Sequence, residues 1–168
     1  VMQPQASGRV VDAAAGATVI SSDGTIALSI PPAAVNSNVA ISVAALDTAT
    51  LPTPPDRQLI AAVEAQPSGL TFRMPITLTL PLSVQFPAGT ILPVLLLNTS
   101  TNSFGAAGVD AVVDDTGRNA VAKITHFSKY AIDVTNSRLL TVASISPRNG
   151  SPGTTVTITG SGFDPNPA

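Results

Sequence analysis

Two short stretches decide the fold: Ile26-Ala27-Leu28-Ser29-Ile30 and Ile76-Thr77-Leu78-Thr79-Leu80. In each, a large aliphatic residue returns at every second position, with a hydroxyl or a methyl group between. A β-strand sends successive side chains to opposite faces, so Ile26, Leu28 and Ile30 share one face, as do Ile76, Leu78 and Leu80. One apolar face backed by a polar or small one is the pattern of a half-buried antiparallel strand. A helix would scatter the same residues around its circumference.

Working outward, similar apolar runs recur between clusters of turn residues, which predicts further strands over 18–20, 39–45, 59–65, 92–98, 111–114, 120–125 and 130–134. Ser22-Asp23-Gly24-Thr25 and Asp114-Asp115-Thr116-Gly117 read as tight hairpin turns. Prolines 31, 32, 52, 54, 55, 67, 75, 81, 87 and 93 are expected mainly at strand ends or edges, where a missing N–H does least damage. No long window has a helical period; Pro32-Ala33-Ala34-Val35 is the one candidate for a helical turn. The fold class is therefore all-β, an antiparallel β-sandwich over residues 1–134. Residues 135–139 read as a polar linker. The segment 140–168 follows, with strands expected at 140–145 and 154–159.

Composition narrows the function classes. Only 11% of the residues are charged and the net charge is −2, so no basic stripe exists to displace counterions from nucleic acid. The eight Lys and Arg are scattered singly. With no cysteine there are no disulfides, no thiolate chemistry and no cysteine-ligated metal. The longest apolar run, 91–97, is interrupted by Pro93 and falls far short of the ~20 residues of a membrane-spanning helix. No leader-like stretch opens at Val1, as in a mature or trimmed chain. A hydroxyl-rich, cysteine-free β-protein is expected to be secreted or on a cell surface, and of bacterial origin.

Three segments in order resemble the β-sandwich domain shared by zonula-occludens proteins, netrin receptors and ankyrins. They are GTIALSIPPAAV (24–35), PSGLTFRMPITLTLP (67–81) and THFSKYAIDV (125–134). Ala33 stands where that family often has Gly, and the family's Trp is missing, with Phe104 the candidate to replace it. The segment LTVASISPRNGSPGTTVTITGSGF, from Leu140 onward, resembles the opening of an IPT/TIG immunoglobulin-like repeat. Members of that family are longer, so the segment reads as an incomplete Ig-like domain. The pairing of the two implies an extended, multi-domain surface protein.

His126-Phe127-Ser128 is the one triplet with possible chemistry. Some members of the resembled family cut themselves between Phe and Ser. Carried over, this implies attack by Ser128 on the Phe127 carbonyl, with His126 taking the proton. The alternative is a structural turn with Phe127 in the core. A single species near 16.9 kDa under denaturing conditions would exclude cutting. Asp110, Asp114 and Asp115 could offer oxygens to calcium, but Asp-Asp-Thr-Gly is also ordinary turn chemistry. Asp164 with Asn166 reads as loop, and Asn98-Thr99-Ser100 fits a glycosylation sequon. Glu64 is the single glutamate and His126 the single histidine, so paired glutamates and histidine-rich metal sites are ruled out. No cofactor is implied.

Three functions remain. The first is a non-catalytic structural or adhesion module with protein–protein contacts, able to self-associate through strands 140–145 and 154–159 into a filament or oligomer. The second is a self-cleaving domain. The third is a glycan- or protein-binding module, for which no convergent polar cluster is visible.

Overall fold

The computed structural model describes residues 8–53, 57–135 and 141–161. One compact unit holds Val1–Thr53 and Leu59–Asp133, the other Pro54–Gln58 and Val134–Ala168. Among the described residues there is no α-helix. The chain is all-β and antiparallel, as its period-2 ladders predict.

Ten strands form one continuous sheet. In chain order they are β1 (Arg9–Val11), β2 (Ala17–Ile20), β3 (Ala27–Ile30), β4 (Val39–Ala45), β5 (Arg57–Gln66), β6 (Thr71–Pro81), β7 (Ile91–Asn98), β8 (Ser103–Val113), β9 (Asn119–His126) and β10 (Lys129–Thr135). Their order in the sheet is β1-β4-β5-β10-β7-β8-β9-β6-β3-β2. The sheet is nearly closed. Its two end strands are joined by the Asp12–Gly16 bridge, and the Arg9 guanidinium donates to the Thr18 carbonyl at 2.8 Å.

The two ladders face the interior as expected. Ile26, Leu28, Ile30, Ile76, Leu78 and Leu80 are each no more than 3% exposed. Leu28 lies opposite Leu78, and Leu78 opposite Ala122, so one buried row crosses three strands. Strand β5 is buried on both faces from Leu59 to Val63, which explains its unbroken apolar sequence. Beside it Leu59, Ala62, Leu95 and Ala131 form a satellite cluster, against which Leu46, Leu51 and Phe104 pack. Phe104, the candidate for the missing Trp, is thus a half-buried lid on this cluster.

Several expectations need correction. Strand β1 carries too few residues to show a period. β8 extends well before the expected strand at 111–114, because Gly105–Gly108 is small and shows no alternating bulk. β6 begins at Thr71, several residues before its ladder. Pro75 and Pro93 lie inside strands rather than at their ends. Each sits at a register shift, where the ladder asks least of its missing N–H. The linker residues 136–139, and Leu140, Asp164 and Asn166, lie outside the described residues; Thr135 ends β10.

The helical turn expected at Pro32–Val35 does not form. Ala33 takes a left-handed backbone, φ 62°, and its N–H donates to the Ala13 carbonyl at 2.8 Å. Among the described residues the helical turn that does form is the short 3-10 helix Thr48–Thr50, capped by the Asp47 carboxylate. Left-handed backbone costs an alanine ~1–2 kcal/mol, and glycine returns ~0.5–1 of that as chain entropy. Ala33→Gly should therefore raise stability by about 0.5–1 kcal/mol, read as a higher denaturant midpoint. A lower midpoint would contradict the left-handed geometry.

The second unit contains a separate two-stranded antiparallel sheet, β11 (Thr141–Ser146) with β12 (Thr157–Ser161). Ile145 lies opposite Ile158. The strand expected from 154 begins three residues later, at Thr157, since 154–156 are not in strand.

Candidate functional site

Strand β9 ends at His126 and β10 begins at Lys129, leaving Phe127 and Ser128 as the connection. Phe127 is locked there by three contacts. Its N–H donates to the Leu70 carbonyl at 2.7 Å, and its carbonyl accepts from the Gly69 N–H at 3.1 Å. Its ring meets Phe72 edge-on, with centroids 4.8 Å apart. The Pro67–Leu70 turn and the Phe127–Ser128 turn thus hold one another through backbone bonds, and the two phenyl rings close the core beneath them.

Tyr130 holds the histidine. Its hydroxyl donates to the His126 carbonyl at 2.8 Å and lies 3.3 Å from Nε2, with the rings 5.8 Å apart. Burial pushes the tyrosine up to about 12, so it remains a neutral donor. The structure therefore brings His126 to Tyr130 and gives Ser128 Oγ no hydrogen bond to the imidazole. The described non-glycine residues with left-handed backbone are Ala33 and Asn102, and neither is in this turn. Beside it Lys129 Nζ lies 3.6 Å from Glu64, a partly exposed ion pair of small worth. The sequence pattern does not single out the Gly69 amide or the Tyr130 hydroxyl. The resembled segments 67–81 and 125–134 contain both, and the contact between the segments is what ties them together.

The three aspartates do not converge. Asp110 lies on β8 opposite Pro93, while Asp114 and Asp115 lie in the turn before β9. Asp114 spends its oxygens on that turn: Thr116 Oγ1 donates at 2.6 Å, Asn119 Nδ2 at 2.8 Å and the Thr116 N–H at 3.1 Å. Among the described residues no group of three His, Asp or Glu side chains could hold a metal. The Thr116 hydroxyl first, then the Asn119 amide, hold the Asp114 carboxyl down to about 2. A depressed acid stabilises the fold above its unfolded value of 3.8, and that contribution disappears as pH falls through about 2. Proton titration of Asp114 followed by NMR should show this low midpoint, and Thr116→Val should raise it.

One further concavity, of about 270 Å³, opens between Leu46, Ile60, Leu80 and Leu82, with Thr48 and Ser83 as its polar residues. It has no charged group. In the second unit every described residue from 142 to 160 is exposed, including Val142 at 52%, Ile145 at 44%, Val156 at 49% and Ile158 at 53%.

Comparison with curated proteins finds no match. Comparison with family models finds an IPT/TIG domain at residues 140–168 and a ZU5 domain at residues 7–90, half of the chain. The closing segment 125–134 lies beyond the matched stretch. Both domain types are protein-interaction modules. The chain, with its buried ladders and proline-bounded turns, belongs to the ZU5 domain family and carries an IPT/TIG segment after it.

Proposed function

We propose that this chain is a non-catalytic structural and adhesion module of a multi-domain bacterial surface or secreted protein, and that it assembles by strand pairing. The nearly closed sheet is a stiff mount. The two-stranded sheet β11–β12 is the adhesive part.

The observation that carries this reading is the exposure of β11–β12. A ribbon of two strands cannot bury both faces of its own side chains, and alone in water it is marginally stable. Here Val142, Ile145, Val156 and Ile158 are all exposed, and each strand has its second edge free among the described residues. Free edges with β-branched side chains recruit further strands. Placement outside the cell is supported by the low charged share, the absence of cysteine and the hydroxyl-rich polar faces of the strands. No helix of the described residues is long and apolar enough to cross a membrane.

Light scattering over a concentration series tests the reading. The full chain should grow in apparent mass with concentration, while the chain ending at Val134 should remain a monomer. An unchanged monomer in both rejects it.

A further inference from the structure

Among the described residues, the large sheet has an open stretch of edge inside it, away from its end strands β1 and β2. Strand β8 pairs with β7 along almost its whole length, from Ser103 opposite Asn98 to Val112 opposite Ile91. On its other side, β9 pairs with Ala111, Val112 and Val113 alone. The two strands part at that point, and Gly108, with φ 74°, sits where β8 shifts register against β7. From Phe104 to Asp110, therefore, the outward backbone groups have no strand partner among the described residues, and no turn or loop bond reaches them.

Open edges in stable proteins are normally guarded by lysine, proline or a covering loop. This one is not. Ser103-Phe104-Gly105-Ala106-Ala107-Gly108-Val109 contains neither charge nor proline, and Asp110 is the first ionised residue along it. Gly105 and Ala106 are exposed. A Cβ added at Gly105 would point out of the sheet and meet nothing within 4 Å, so the face of the strand is uncovered there as well.

The same chain contains an edge of opposite shape. Thr154-Thr155-Val156-Thr157-Ile158-Thr159 is uncharged and almost wholly β-branched, the composition with the strongest strand preference. β12, formed from Thr157 onward, pairs with β11 on one side only. Bulky β-branched side chains set beside a glycine- and alanine-lined strand interdigitate without collision, while the backbones supply the hydrogen bonds. Because neither stretch has a charge, nothing repels the approach. We infer that β12 of one copy adds to the open β8 edge of a second copy, so that Ser103–Val109 is the acceptor for assembly. This rests on the reading of the chain as an assembling module and names the surface that receives the donated strand.

The absence of cysteine makes the contact directly testable. Full-length chain bearing Ala106→Cys is mixed with full-length chain bearing Thr155→Cys, Thr157→Cys or Thr159→Cys, and oxidised. At least one mixture should give a species of doubled mass that survives denaturant and is absent from each chain oxidised alone. In parallel, Gly105→Lys in the otherwise native chain places a guarding charge on the edge without a steric clash. It should weaken self-association about tenfold or more, with the thermal unfolding midpoint unchanged. Should Gly105→Lys lower that midpoint, the cysteine mixtures alone decide. If the native chain assembles but no mixture cross-links, the acceptor edge is wrong and the assembling module stands. If the native chain stays monomeric at all concentrations, both are overturned.

Discussion

Phe127→Ala should destabilise the protein by about 3–5 kcal/mol, the cost of emptying a fully buried aromatic site. Phe127 is 1% exposed and its ring packs edge-on against Phe72. Removal leaves a cavity that can collapse little, because the backbone on both sides is held by the Leu70 and Gly69 hydrogen bonds. In a domain of this size the loss lowers the thermal midpoint by on the order of 10 °C. Ser128→Ala makes the contrast, since that side chain is only partly buried and has no hydrogen bond to His126. It should change stability by no more than about 0.5 kcal/mol, as surface substitutions usually do. Equal effects from the two would mean that the triplet is not organised around its phenylalanine.

The second large effect is expected at Gly16. This residue bridges the two ends of the sheet: its N–H donates to the Asp12 carbonyl at 2.8 Å, and its φ is 68°. A Cβ placed there would collide with the Ile30 carbonyl oxygen and lie 2.8 Å from backbone atoms of Pro31 and Pro32. Those are main-chain atoms at the end of a core strand and cannot turn aside. Gly16→Ala thus combines left-handed strain of ~1–2 kcal/mol with overpacking of ~1–3 kcal/mol, for a loss of about 3 kcal/mol. Gly24 has a similar φ of 75° but open space around it, so Gly24→Ala should incur the strain alone, about 1 kcal/mol. Denaturant midpoints measured on both variants check the difference. If they coincide, the close approach of the β1–β2 turn to Pro31 is not what holds the sheet ends together.

The residues that announced themselves did so for a physical reason. Ile26–Ile30 and Ile76–Leu80 must alternate because one face meets the core, and that alternation survives in any tertiary arrangement that buries it. The Asp23-Gly24 and Asp114–Gly117 turns were equally legible, since their chemistry is local: a carboxylate accepts nearby N–H and O–H groups, and a glycine supplies the left-handed step. Ala33 departs from the resembled family's pattern, which often has Gly there. Its left-handed backbone turns that departure into an energetic cost.

Other features had no local signature. The Phe127 lock joins residues far apart in sequence, through main-chain groups that every residue type possesses, so no pattern of side chains could reveal it. His126 and Ser128 are neighbours in the chain, yet the partner of His126 is Tyr130, reached across the β9–β10 turn. The open half of β8 was hidden by the same smallness that makes it accessible: Gly105, Ala106 and Gly108 show no period, and only the divergence of β9 leaves their backbone unclaimed. Sequence alone determined which faces are apolar, where the chain turns, and that strands rather than helices form. Which strands became neighbours, which edge stayed open and which histidine contact formed were decided in three dimensions, because those outcomes depend on backbone hydrogen bonds between distant segments, and such bonds carry no residue identity.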